Sequence, residues 1–129
     1  MRVFVGYGSV YVGQRVIRSI MQMSEAELVG QSKEPDEIMR LVREQEPELV
    51  VLDTGLSDGK GLEVLCTLKR FSRPPVVIVL TSFWNEHYMR VYIEAGADYF
   101  FHAADESDKV HEVIAHLVHT APRHEQTTL

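Results

Sequence analysis

The stretch that decides the fold is residues 47–62, PELVVLDTGLSDGKGL, in which an apolar run ends at a carboxylate and a glycine-rich loop. Residues 49–52 show no alternation of polar and apolar side chains, which is typical of a strand that helices cover on both faces. Asp53 follows this run directly, and open α/β sheets build their sites at the carboxyl ends of their strands. The stretch predicts a central parallel strand with a functional carboxylate at its tip, although an aspartate here can also simply cap the turn.

The composition limits the size of the fold and the class of partner. The 129 residues, 45% of them hydrophobic, suit one domain that buries about two-thirds of its unfolded surface. The net charge of −6 argues against direct contact with nucleic acid, because phosphate recognition requires clustered Lys and Arg. One cysteine, Cys66, excludes an intramolecular disulfide, and no apolar run reaches the ~20 residues that cross a bilayer. We expect a cytoplasmic protein with no membrane segment, a domain over residues 1–121 and a flexible tail or linker stub over 122–129.

Strand and helix patterns alternate five times along the chain. Apolar runs predict strands at residues 3–5, 26–30, 49–52, 76–80 and 99–101. Amphipathic patterns predict a helix that begins after Ser9 and further helices at 36–46, 62–71, 85–95 and 107–120. Because parallel neighbours require right-handed crossovers, this alternation predicts an α/β fold with a five-stranded parallel sheet in the order 2-1-3-4-5 and helices on both faces. That order places around one pocket the residues that follow three of the strands: Tyr7, Gly8, Asp53 and Thr81.

Four motifs follow one another in a fixed order. They are Asp53 with Gly55-Leu56, the run GLEVL at 61–65, Thr81-Ser82 after an apolar strand, and EAGAD at 94–98 before an aromatic strand. The ordered set, over essentially the whole chain, resembles the receiver domain of two-component response regulators. The resemblance implies a flavodoxin-like fold and a role in phosphorelay signal transduction. It implies that Asp53 stands at the phosphoacceptor position, Thr81 at the position whose hydroxyl bonds the phosphoryl group, and Phe100 at the aromatic switch position, while the Gly55 carbonyl would face a Mg²⁺ ion.

Three positions depart from the pattern of that family. Its members usually carry two adjacent acidic residues after the first strand, where this chain has Tyr7 and Gly8, and a lysine after the fifth strand, where it has Ala103. Mg²⁺ is normally held by one or two carboxylates with waters and phosphate, so this chain lacks the carboxylate ligands that Mg²⁺ would need at positions 7 and 8. The absence of the two acidic residues and the absence of the lysine are mutually consistent. Without them, Asp53 remains as a single negative charge that needs neither a metal ion nor a lysine to balance it. We interpret the chain as a degenerate receiver, or pseudo-receiver, with no metal site, no cofactor, no catalytic residues and no enzymatic activity.

Three functional hypotheses follow from these observations. In the first, the chain signals by protein–protein contact without phosphorylation, and its partner is a histidine kinase or an output domain. In the second, it is a working phosphoreceiver in which Asp53 accepts a phosphoryl group from a histidine kinase with Mg²⁺ as cofactor. In the third, it binds a nucleotide or other small molecule through the Gly6-Tyr7-Gly8 loop, whose N–H groups open a helix.

The resemblance also implies a working surface made of the fourth predicted helix, the fifth strand and the fifth predicted helix. Charges of both signs lie on these elements, so a two-fold homodimer can pair opposite signs across its axis: Arg90, Glu94, Asp98, Lys109 and Glu112. In this hypothesis, apolar residues such as Tyr92 and Val113 supply the affinity. We also expect the Phe100 ring to lie inward, because burying a Phe side chain gains about 1.5–3 kcal/mol.

Overall fold

A computed structural model describes residues 1–56, 59–83, 85–106 and 108–120. In this part of the chain five strands alternate with helices, and the element order confirms the predicted α/β class. The strands are β1 (Arg2–Gly6), β2 (Glu27–Ser32), β3 (Leu49–Asp53), β4 (Val76–Thr81) and β5 (Tyr99–His102). The helices are α1 (Val10–Met21), α2 (Pro35–Gln45), α3 (Gly61–Lys69), α4 (Glu86–Glu94), α5 (Ala103–Glu106) and α6 (Lys109–Thr120).

The sheet has the predicted order β2-β1-β3-β4-β5, with every neighbouring pair parallel. The central strand β3 is buried along its whole length. Because successive side chains of a strand point to opposite faces, Val50 and Leu52 pack on one side of the sheet while Leu49 and Val51 pack on the other. The absence of polar alternation in β3 therefore reflects two apolar cores, one on each face.

The two cores are built with different helices. On one face, the buried residues of the sheet pack against α2, α3 and α4, which contribute Ile38, Leu65 and Tyr92 among others. On the opposite face they pack against α1 and α6, which contribute Val16 and Ile114. This layering leaves the carboxyl ends of the central strands open to the loops that follow them, as expected for a doubly wound sheet.

Several predicted helix ends are confirmed. Ser9 caps α1, and its hydroxyl accepts a hydrogen bond from the N–H of Val12 at 3.3 Å. Gly96 follows α4 with a φ of 116°, the left-handed conformation that favours glycine after a helix. At the end of α2 the same region is occupied by Glu46, with a φ of 48°.

Some boundaries differ from the sequence prediction. Strand β2 runs to Ser32, because β1 continues to Gly6 and keeps pairing with it. A short helix, α5, precedes the last long helix; its final residue, Glu106, accepts a hydrogen bond from the N–H of His102 at 3.0 Å. The predicted first residue of the last helix, Ser107, and the predicted tail at 122–129 lie outside the described residues. Across the described ranges, no helix has the length and the hydropathy needed to cross a membrane.

Candidate functional site

Asp53 lies at the carboxyl end of β3 with 3% of its surface exposed. Its Oδ2 accepts hydrogen bonds from the main-chain N–H groups of Gly8 at 3.0 Å and Ser9 at 2.8 Å. Its Oδ1 accepts a third from the N–H of Gly55 at 3.0 Å. A buried carboxylate requires such donors, and the positive end of the α1 dipole adds to their effect. The main chain therefore satisfies this carboxylate at the start of α1.

The loops after β1 and β3 touch each other beside this carboxylate. A Cβ atom placed on Gly8 would lie 2.0 Å from the carbonyl oxygen of Gly55 and 2.6 Å from the nitrogen of Leu56. The Gly55 carbonyl, which the family resemblance would turn toward Mg²⁺, therefore lies against Gly8. Because a Cβ–O distance of 2.0 Å is far inside van der Waals contact, only glycine fits at position 8 with these loops in place.

Tyr7, predicted from the sequence to stand at the first of the two acidic positions of that family, packs its ring on α1. A Cβ on Gly13 would be 2.7 Å from Cγ of Tyr7, so glycine in the helix makes room for the ring. The Tyr7 N–H donates to the Ser32 carbonyl at 3.0 Å. Tyr7 is half-buried against the core on the α1 and α6 side and does not line the cavity at Asp53.

Thr81 is completely buried at the end of β4, and its hydroxyl is already occupied. The hydroxyl lies 3.1 Å from that of Thr54 and donates to the carbonyl of Phe83 at 2.9 Å, while the N–H of Phe83 lies 3.0 Å from the same oxygen. These contacts fix the start of the loop between β4 and α4. Thr54 is a participant that the sequence analysis missed, and its only sequence signal is its position directly after Asp53.

Ala103 is the residue predicted from the sequence to stand at the lysine position of that family. Its methyl group is 1% exposed and belongs to the core between the sheet, α1 and α6. No charge from this position reaches Asp53. The nearest charged groups in sequence, Asp105 and Glu106, face His102 and Lys109 instead.

Phe100 lies inward, as predicted, with 8% of its surface exposed. Its ring centroid is 5.8 Å from that of Tyr92 and 6.4 Å from that of Tyr88, and Tyr88 in turn meets Phe83 at 6.2 Å. Burial, together with the neighbouring hydroxyl of Tyr88 at 3.4 Å, raises the pKa of Tyr92 well above its ordinary value. The four rings form a cluster whose outermost member, Phe83, is 68% exposed.

A cavity of about 380 Å³ opens above Asp53. Its described lining consists of Gly8, Ser9, Asp53, Thr54, Gly55, Ser82, Phe83 and Tyr88. This lining contains no Lys or Arg, and the described part of the chain holds no group of three or more His, Cys, Asp or Glu side chains arranged to bind a metal. Of the four residues predicted around one pocket, Gly8 and Asp53 line this cavity, whereas Thr81 is buried beneath it and Tyr7 turns away from it. Gly55 also lines the cavity, and Ala103 packs in the core.

The hypothesis that the Gly6-Tyr7-Gly8 loop binds a nucleotide requires free N–H groups at the start of α1. Those of Gly8 and Ser9 instead donate to Asp53. The anion at this helix start is the protein's own carboxylate, so the geometry argues against a phosphate-binding role for the Gly6-Tyr7-Gly8 loop.

Residues 12–115 match the response regulator receiver domain family. The chain belongs to this family. The receiver is 32% identical over 98 residues to BvgA of Bordetella pertussis, a positive transcription regulator of virulence factors; the match covers 76% of this chain and 46% of BvgA. It is 27% identical over 85 residues to the chemotaxis protein CheY of Halobacterium salinarum, covering 66% of this chain and 70% of CheY. The receiver therefore spans about half the length of BvgA.

Solved structures show the same fold. The signal receiver domain of the response regulator NarL from Mycobacterium tuberculosis superposes with a TM-score of 0.82 at 16% identity, covering 92% of this chain and 96% of that domain. The response regulator domain of CheB from Thermotoga maritima gives a TM-score of 0.81 at 20% identity, covering 95% of this chain and 98% of that domain. The flavodoxin-like, receiver-type fold is confirmed, and receiver domains act in two-component signalling.

Proposed function

We propose that this receiver signals through constitutive protein–protein contacts and does not use phosphorylation of Asp53. The observation that carries the proposal is the set of three hydrogen bonds that the Asp53 carboxylate accepts from main-chain N–H groups. A nucleophilic carboxylate must present a free oxygen lone pair to phosphorus, and the phosphoryl group brings about two negative charges that need compensation. Here Oδ2 accepts two of these bonds and is directed into the loop before α1, which lies against the Gly55 carbonyl, so only Oδ1, already bonded to the Gly55 N–H, retains a lone pair.

The acidic and basic residues that this site lacks, compared with the family pattern, support the same proposal. Phosphoryl transfer to a carboxylate depends on a metal ion and cationic groups that neutralise the transferred charge. The described lining of the cavity offers no cation, the two acidic positions are Tyr7 and Gly8, and the lysine position is the buried methyl of Ala103. We infer that Mg²⁺ is not a cofactor and that the receiver is of the pseudo-receiver type.

The residues at the switch positions support a single state. The Thr81 hydroxyl is engaged by Thr54 and Phe83, and the Phe100 ring packs within the aromatic cluster. A ligand shifts an equilibrium only where two states are populated. With both side chains held in this way, the surface formed by α4, β5 and α6 is presented permanently.

The proposed surface differs from the sequence prediction in its apolar part. Tyr92 and Val113 were expected to supply the affinity of a dimer, but they are 2% and 8% exposed because both sit on the core stripes of their helices. Ile93 and Phe83 are the exposed apolar side chains on this side of the described chain. We propose that they provide the apolar contact with a partner, whether a histidine kinase, an output domain or a second copy.

The charges on this surface also act differently from the prediction. Arg90 pairs with Glu86 at 3.7 Å, Lys109 with Glu106 at 3.1 Å, and Asp98 with Lys69 at 2.9 Å. Since each of these charges already has a partner in its own chain, a homodimer would gain little by pairing them across its axis. Sedimentation at tens of micromolar tests the dimer: Ile93→Asp should dissociate it, Arg90→Gln should not, and a wild-type monomer excludes it.

Mass spectrometry after incubation with acetyl phosphate and Mg²⁺ tests the proposed mechanism. We expect no phosphoryl adduct on the wild-type receiver, whereas a receiver that retains both acidic residues and the lysine is modified in parallel. Millimolar Mg²⁺ should also leave the melting temperature unchanged, since a cation that does not bind the folded state cannot stabilise it. An adduct that Asp53→Asn abolishes would establish the phosphoreceiver alternative instead.

A further inference from the structure

A second cavity, of about 240 Å³, lies at the amino-terminal ends of β3 and β4, whereas Asp53 lies at the carboxyl end of β3. It opens where α2 and α3 end, and its floor is made of buried apolar residues: Val42 of α2, Pro47 before β3 and Pro75 before β4. Phe71, which follows α3, is half-buried and forms a wall. The length of β3, about 13 Å, separates this cavity from the Asp53 site.

Two arginines stand at the mouth of this cavity, and both are exposed. Arg43 holds its guanidinium 5.1 Å from the ring centroid of Phe71, and Arg73 lines the same opening. Within the described ranges neither forms an ion pair, although four other cations do: Arg40, Lys69, Arg90 and Lys109. Six other described Lys or Arg side chains also form no ion pair, so the feature that distinguishes Arg43 and Arg73 is that both line one cavity beside the Phe71 ring.

The surrounding charges favour an anion at this opening. Glu46 is the acidic residue among the described lining, so the two arginines leave a local excess of one positive charge. The carbonyl groups that end α2 carry partial negative charge, but Arg2 compensates them: its Nη1 donates to the carbonyl of Gln45 and, at 3.4 Å, to that of Glu46. Arg2 therefore offsets the negative end of α2, and the last turn of α3 carries Lys69.

The geometry points to a binding site for a small apolar carboxylate. The planar guanidinium presents donors in a fork that matches a carboxylate, while Phe71 and the proline floor suit a hydrocarbon group. Cavities for drug-sized ligands hold about 300–1,000 Å³, so this smaller one fits a ligand about the size of one amino-acid side chain. Inorganic phosphate would leave the apolar floor empty. The site uses none of the residues around Asp53 and is independent of phosphorylation.

A titration followed by ¹H–¹⁵N NMR tests this proposal with phenylacetate as the probe. We expect saturable shifts confined to the amide signals of the cavity, including those of Arg43, Ser72 and Arg73. Phenylacetamide has nearly the same shape without the charge and should bind about tenfold more weakly, the loss expected for one charge-assisted hydrogen bond. Inorganic phosphate should bind more weakly than phenylacetate, because it lacks the apolar group.

The variants Arg73→Gln and Arg43→Gln should each weaken phenylacetate binding about tenfold. The matched control is Arg15→Gln: Arg15 also lies over an aromatic ring, at 5.6 Å from the centroid of Tyr11, but outside the cavity. Phenylacetate affinity should be unchanged in the control. Equal binding of phenylacetamide, equal loss in Arg15→Gln, tighter binding of phosphate, or shifts that never saturate would each overturn the proposal.

Discussion

The main-chain N–H of Ser9 donates to Oδ2 of Asp53 over 2.8 Å, and this bond joins the carboxyl end of the central strand to the residue that precedes α1. Ser9 is also the N-cap of that helix, with its hydroxyl engaged by the N–H of Val12. The same residue thus caps α1 with its side chain and holds Asp53 with its main chain. A carboxylate in such a role stabilises the fold, and that role can be measured independently of phosphorylation.

Replacing Asp53 should destabilise the receiver strongly. Asp53→Ala leaves three buried N–H donors without an acceptor, and we expect the free energy of unfolding in urea to fall by about 2–4 kcal/mol. Asp53→Asn keeps one acceptor oxygen and should cost less. The control, Asp105→Ala, removes a side chain that is 82% exposed and should change stability by no more than about 0.5 kcal/mol. An Asp53→Ala protein as stable as wild type would show that the carboxylate has no structural role.

A methyl group at position 8 should be far more costly than one at another loop glycine. Gly8→Ala would place Cβ 2.0 Å from the Gly55 carbonyl oxygen, so the two loops must separate, and we expect a loss of about 3 kcal/mol or more. Gly59 has a φ of 67° but nothing within 4 Å of its Cβ position, so Gly59→Ala should cost only about 1 kcal/mol. Thermal unfolding of both variants compares them, and similar melting temperatures would contradict the close contact.

Glycine at position 46 should stabilise the receiver. Glu46 ends α2 with a φ of 48°, which costs a side-chain-bearing residue more than it costs glycine. We expect Glu46→Gly to raise the free energy of unfolding by about 0.5–1 kcal/mol. Glu44→Gly, two residues earlier and inside α2, should lower it by about 1 kcal/mol. If both variants are destabilised alike, position 46 does not depend on its backbone conformation.

The stability supplied by Glu106 should depend on pH. The hydrogen bond from the N–H of His102, followed by the contact with Lys109, lowers the pKa of Glu106 below its ordinary value near 4.5. A lowered folded-state pKa stabilises the protein above pH 4.5, and the contribution disappears as pH falls through the folded value. Relative to Glu106→Gln, wild type should be more stable at pH 7 by up to about 1 kcal/mol and no more stable at about pH 3. The exposed control Glu94→Gln should show a smaller change, and an advantage that grows toward low pH would refute the assignment.

The fold was predictable because the sequence patterns that determine it are local and extend over many residues. The unbroken apolar runs of β3 and β4 indicated strands covered on both faces, and the regular alternation with helices predicted a doubly wound parallel sheet, for which 2-1-3-4-5 is a common strand order. The short helix α5 was missed, since a single turn of four residues leaves no periodic pattern and depends on a contact between Glu106 and the main chain of His102. Tyr92 was predicted on the surface, but it lies on the buried face of α4, which it shares with Tyr88 four residues earlier.

The sequence predicted some of the residues that approach one another at the site, but not their contacts. Parallel strands bring the residues after their carboxyl ends together, so Gly8, Asp53 and Thr81 could be grouped from sequence. What satisfies Asp53 could not be predicted, because its three partners are main-chain N–H groups, which every residue except proline carries. The engagement of Thr81 by Thr54 was equally invisible, since it depends on side-chain geometry across two neighbouring strands.

The contact between Gly8 and the Gly55 carbonyl also limits how this sequence can change over evolutionary time. A mutation that places an acidic residue at position 8 meets main-chain atoms, not a flexible side chain, and cannot be accommodated until the loop after β3 has first moved. That loop movement would in turn remove an N–H partner from Asp53. An acidic residue at position 8 therefore requires two rearrangements, of the loop after β3 and of the hydrogen bonds of Asp53, before it could contribute to a metal site.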